Sequence, residues 1–137
     1  MDNYLYLDYV GNVSGMTFER DGNSYNFVFN TNAEKLDITS AYLNGTVVDT
    51  QTCRLLYQTM LQCHIRGEQE YESTAEPELK LTIDNVTGVQ TVFEFRRMSS
   101  AKVHVTVNGG GDYYINFSNF ETLLEKFDIV VKGGKLE

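Results

Sequence analysis

Apolar residues recur at every second position through most of this chain. Met16 and Phe18 alternate with Thr17 and Glu19, and Tyr25, Phe27 and Phe29 resume the alternation beyond Asp21-Gly22. Such a period places one set of side chains on one face of a β-strand. Asp-Gly tolerates the positive φ of a tight turn, so the segment predicts a hairpin. Asn44-Gly45 predicts a second hairpin, joining Ala41-Tyr42-Leu43 to Thr46-Val47-Val48. A third runs from Leu79, Leu81 and Ile83 through Asp84–Gly88 to Val92–Phe95. A fourth joins Val103, Val105 and Val107 to Tyr113, Ile115 and Phe117 through Asn108-Gly109-Gly110-Gly111.

Two segments change period. Cys53, Leu56, Tyr57, Met60 and Cys63, with His64 beside them, fall three and four apart. That spacing is one stripe of a helix over about residues 50–63, with Asp49 or Thr50 as cap. The second helix is expected over 118–126. Ser118 and Glu121 have capping-box spacing there, and Leu123, Leu124 and Phe127 face the core. A last strand is expected over Asp128–Val131. The acidic stretch Glu68–Glu78 holds the only proline, Pro77, and reads as a loop. The fold class is therefore α+β: mainly an antiparallel sheet of hairpins, with both helices on one face and the other face wet. Both halves run from hairpin to helix, 15–30 before the first and 102–117 before the second. A true repeat and a chance recurrence of a common unit both remain open.

Length and composition narrow this picture. At 137 residues the chain is expected to be one domain with one core. An apolar fraction of 42% opposes disorder. The formal net charge of -8 has the wrong sign for generic nucleic-acid binding or for docking on an anionic membrane. No apolar run approaches the roughly 18 residues of a membrane span, and no signal peptide is evident. The terminal Leu136-Glu137 resembles a cloning scar. The expectation is a domain excised from a longer protein, with 133–137 a disordered tail.

Candidate chemistry is sparse. Cys53 and Cys63 are too few for a cysteine metal motif. Ten helical residues span about 15 Å, and a disulfide needs Cα atoms within about 7 Å, so two free semi-buried thiols are expected. The histidines are His64, at a helix end, and His104, between Val103 and Val105 and so on the opposite, wet face. No nucleophile elbow or oxyanion motif accompanies either cysteine, so no catalytic residue is assigned. The glycines at 109–111 precede a strand rather than a helix, which favours a turn over a phosphate cradle. Glu68, Glu70, Glu72, Glu76 and Glu78 lack the spacing of a calcium loop, so no metal is assigned. The chain carries nothing that calls for a cofactor. Tyr113 and Tyr114 point to opposite faces of one strand. With His104 they are the candidate contacts for a ligand or partner. Asn-X-Ser/Thr triplets at Asn12, Asn44, Asn85 and Asn116 matter only in a eukaryotic secretory setting.

The order of these parts resembles a family. The run Val13-Ser-Gly-Met-Thr-Phe-Glu-Arg-Asp-Gly-Asn-Ser-Tyr is similar to its opening hairpin. Ala41-Tyr-Leu-Asn-Gly-Thr-Val-Val-Asp-Thr, followed by the Leu55–Leu61 helix, is similar to the strand and leucine helix that come next. Val103-His-Val-Thr-Val-Asn-Gly-Gly-Gly-Asp-Tyr-Tyr-Ile-Asn-Phe is similar to its closing hairpin. The family is the bacterial extracytoplasmic repeat known as domain of unknown function 4340, whose members are encoded beside gliding-motility-type ABC transporters. It often has tryptophan where Tyr42 stands here. The resemblance implies a membrane-anchored parent, an outward-facing position and a non-catalytic role. The expected partner is thus another protein or another domain of the parent chain, with no nucleic acid and no insertion of this segment into the membrane. Two other classes stay open: a small cysteine-dependent enzyme, and a carbohydrate- or peptidoglycan-binding domain using its tyrosines.

Overall fold

The computed structural model describes residues 4–32, 34 and 37–136. Among the described residues, nine strands form one antiparallel sheet. They are β1 (Val13–Arg20), β2 (Asn23–Asn32), β3 (Asp37–Leu43), β4 (Thr46–Val48), β5 (Gly67–Glu68), β6 (Leu79–Asn85), β7 (Gln90–Arg97), β8 (Lys102–Val107) and β9 (Gly110–Asn116). Their spatial order is β4-β3-β2-β1-β6-β7-β8-β9-β5. Two helices, α1 (Thr50–Leu61) and α2 (Phe117–Val131), complete an α+β fold, after a short 3-10 turn at Val10–Asn12.

The turn chemistry explains the hairpins. Asp21 and Gly22 have φ of 52° and 77°, Asn44 and Gly45 of 48° and 85°, and Asn108 and Gly109 of 52° and 79°. These pairs fit two-residue turns whose twist matches the flanking strands. The fourth turn is thus two residues long, not the four expected. Gly111, at φ 82°, lies at a bulge within β9.

The alternating apolar residues fill one face. Met16, Phe18, Phe27, Leu81, Phe93, Phe95, Val103, Val105 and Ile115 are all buried. The helices lie over them, with Leu56, Tyr57 and Met60 of α1 and Phe120, Leu123 and Phe127 of α2 in the same cluster. Phe127 stacks on Phe18 at 4.5 Å between centroids and meets Tyr25 edge-on. Asp49 caps α1 by accepting from the Thr52 amide and hydroxyl, each at 3.0 Å. This helix ends at Leu61, so Cys63 sits just beyond it.

The C-terminal segment departs from expectation. The strand read over Asp128–Val131 is the last turn of α2. The β-branched run Ile129-Val130-Val131 suggested a strand. Phe120, Leu123, Phe127 and Val130 nevertheless bury one helical stripe, and packing overrides propensity. The Ser118–Glu121 capping box does not form. Asn116 occupies the cap position without a side-chain bond. The Phe117 amide is instead satisfied by the Ala101 carbonyl. In place of a free tail, residues 133–136 turn back on the body. Leu136 is buried, and its amide donates to the Thr52 hydroxyl.

Apart from β5 at one edge, the sheet order is the same read outward from its centre in either direction. β1 and β6 pair antiparallel, and each leads a four-strand meander that ends in a helix. One half is β1–β4 with α1, and the other is β6–β9 with α2. The repeating unit is therefore four strands and a helix. Segment 102–117 corresponds to β3–β4 and not to 15–30, the pairing the hairpin-helix echo had suggested.

Candidate interaction surface

Both thiols lie in the interior, and His64 is half-buried. Cys53 and Cys63 are fully buried and free. The Cys63 Sγ faces the Thr59 and Asn119 carbonyls at 3.7 and 3.9 Å. Burial pushes both thiols up to about 12, where the nucleophilic thiolate is scarce at neutral pH. The His64 ring lies edge-on to Tyr4 at 4.7 Å. His104 projects from the opposite side of the sheet to Cys63, because it alternates with the core residues Val103 and Val105.

That outer face is not uniformly wet. His104 is on the face expected for it, but it is only 3% exposed. Its cover is the acidic stretch read as a solvated loop. From β5, which pairs with Tyr113 and Tyr114 at the sheet edge, the chain must reach β6 near the centre. The helices occupy the inner face, so residues 69–78 cross outside β9, β8 and β7 as a strap. The Gln69 amide donates to the Asp112 carbonyl, and Lys102 Nζ donates to its side chain. The Tyr71 ring lies 5.6 Å from the His104 ring, and its hydroxyl donates to the Arg97 carbonyl. Arg96 Nε donates to the Ala75 carbonyl. Beneath the strap, His104 Nε2 lies 2.9 Å from Asp112 Oδ1, and its buried Nδ1 has no hydrogen-bond partner.

The two tyrosines of the candidate contact set divide as their alternation requires. Tyr113 faces inward, half-buried, over Gly111. Tyr114 faces outward beside His104, with Lys102 Nζ 4.5 Å above its ring and Gly67 against its edge. A Cβ on Gly67 would come within 2.9 Å of that ring, so the close approach of β5 depends on glycine. His104 and Tyr114 are thus brought together as the bed of the strap, while Tyr113 lies on the other side of the sheet, against the core. Among the described residues, no group of three or more His, Cys, Asp or Glu side chains is placed to hold a metal ion. Nor is any helix there long and apolar enough to cross a membrane.

Among the described residues, no segment crosses the corresponding outer face of β1–β4. Val47 of β4, Tyr42 of β3, Val28 of β2 and Gly15 of β1 lie side by side in one cross-strand row. Val28 is 45% and Val47 74% exposed. Polar rows flank it. Asn30 donates to Ser40 on one side, and Asn26 donates to Thr17 on the other. Gly15 is held by the backbone: a Cβ there would sit 2.5 Å from the Phe27 carbonyl oxygen.

Compared with known proteins, the chain matches no family model, no curated protein and no solved structure.

A second exposed apolar group, Leu7, Val86 and Val89, lines a groove of about 510 Å³ at the β6–β7 turn. Sequence reading passed over both surfaces. Val28 stands between Phe27 and Phe29, and an apolar residue out of phase in a strand was the available signal.

Proposed function

We propose that this chain is a non-catalytic interaction module of a bacterial envelope or surface protein, extracytoplasmic and serving an ABC-type transport system. It is held at the membrane through another part of its parent protein. The resemblance of its hairpins to the extracytoplasmic repeat family motivates the location. The observation that carries the role is the distribution of chemistry. The thiols and His104 are enclosed, and what meets solvent is a sheet face with an apolar row flanked by hydrogen-bonding side chains. Faces and edges of sheets recognise partners by main-chain pairing and shallow side-chain contacts.

Photo-reactive residues placed singly at Val28, Val47 and Val89 in the source cells test this. Discrete cross-links from one of these surfaces to an envelope protein are expected. No cross-link from any surface, together with rapid labelling of either cysteine in the native fold, would replace the module with the cysteine-enzyme reading.

A further inference from the structure

We infer that the strap over residues 69–78 is a proton-operated cover: protonation of His104 loosens it and uncovers the outer face of β8 and β9. The device goes beyond the interaction-module reading and does not depend on it.

A histidine is the side chain that ordinarily changes charge between pH 5 and 8, and this one is sealed. The His104 side chain is 4% exposed. The Asp112 carboxylate can only accept, so the proton of the neutral ring sits on Nε2, 2.9 Å from Asp112 Oδ1. Nδ1 is then a bare acceptor, buried and without a partner. Protonation there adds a charge to the enclosure and creates an N–H donor with nothing to receive it. Water can receive it once Tyr71, whose ring lies 5.6 Å away, moves off.

The groups around the ring set the direction. From β9, Asp112 pairs with it and Tyr114 stands opposite it. From β7, Arg96 stands opposite it, with Glu94 3.2 Å from the Arg96 guanidinium. On its own strand, Lys102 is two residues away, above the Tyr114 ring. The strap presents Tyr71, while its Glu70 and Glu72 are exposed. Asp112 belongs to the sheet and is 47% exposed, so it serves the imidazolium with the strap on or off. Arg96 and Lys102 are the cations that tie the strap, at the Ala75 carbonyl and the Gln69 side chain. An imidazolium opposite one and beside the other repels both. Enclosure and repulsion both oppose the closed strap. The open state takes up a proton that the closed state excludes. Closure is therefore favoured at neutral pH and lost as the pH falls through the histidine range.

Amide hydrogen exchange of the full chain, corrected for intrinsic rates, reads the strap, because the Gln69 amide donates to the Asp112 carbonyl. From pH 7.5 to 5.5 its protection is expected to fall at least about fivefold, while amides of β1 and β6 at the sheet centre keep theirs. The fall shares one midpoint with the carbon-bound ring protons of His104. H104Q keeps a neutral donor for Asp112 and is expected to hold the protection constant. H64Q, at the other histidine, is expected to behave as wild type. Constant protection in the wild type, an equal fall in H104Q, or constant protection in H64Q overturns the inference. So does a midpoint that departs from that of His104, or a fall shared by β1 and β6, which is loss of the whole fold. Should H104Q leave Gln69 unprotected at both pH values, the midpoint comparison in the wild type decides alone.

Discussion

Raising the pH from 8 to 10 sets the two enclosed thiols against the fold. Cys53 and Cys63 are fully buried, and burial lifts each from an ordinary value of 9.0 to about 12. In the unfolded chain both titrate near 9, so above that pH the unfolded state releases protons that the native state retains. The stability tied to these thiols is fully present below pH 9 and is lost as pH rises towards 12. The loss is about 1.4 kcal/mol per pH unit for each thiol. Between pH 8 and 10 the pair costs about 3 kcal/mol, a sizeable part of the 5–15 kcal/mol typical of a domain. Tyr57, raised by burial beside Tyr6 and Asp8, adds to the decline in the same direction at higher pH. The assay is urea unfolding followed by far-UV circular dichroism at pH 8, 9 and 10 under reducing conditions. Wild type is compared with the C53A/C63A double variant. The double variant starts less stable but loses about 3 kcal/mol less over this range. An equal pH slope in the two proteins would refute the enclosure of the thiols, and with it the argument that they are poor nucleophiles.

Other perturbations probe separate parts of the fold. Gly15→Ala places a methyl 2.5 Å from a backbone carbonyl that cannot move without opening the β1–β2 ladder. A loss of about 1–3 kcal/mol is expected in the same urea assay. Phe127→Ala removes a ring stacked on Phe18 and should cost about 3–5 kcal/mol; a loss below 1 kcal/mol would revive the strand once expected after residue 127. Thr52→Val strips a buried hydroxyl that donates to Asp49 and accepts from the Leu136 amide, at about 1–3 kcal/mol by thermal or urea unfolding. Tyr71→Ala should release the strap, and Glu-specific protease should then cut at Glu70 or Glu72 well before the sheet unfolds. Cleavage no faster than in wild type would mean that Tyr71 does not anchor it.

Much of the fold was legible because local chemistry specifies it. Asp21-Gly22 and Asn44-Gly45 admit the positive φ of tight hairpins, and period-two alternation marks which residues line the core. The stripe from Cys53 to Met60 marked α1, and of the two cap candidates, Asp49 and Thr50, Asp49 is the cap. The misreadings share a cause. Ile129-Val130-Val131 has strand propensity, and its helical state depends on Val130 and Phe127 burying against a sheet distant in sequence. Ser118–Glu121 has capping spacing, but the Ala101 carbonyl was closer to hand for the helix's first free amide.

The candidate site was less legible than the fold, because it depends on crossings. By itself the sequence determined the α+β class, the hairpins and the face to which His104 belongs, since turn dihedrals and strand period are properties of neighbouring residues. Only the tertiary structure decided that residues 69–78 cross the sheet and bury His104 under Tyr71. The strand order β4-β3-β2-β1-β6-β7-β8-β9-β5 puts β5 at one edge and β6 near the centre, while the helices block the inner route. On the other half, Val28 and Val47 are exposed. Alternation assigns a side chain to a face, whereas its exposure is set by whatever distant segment the topology lays over it.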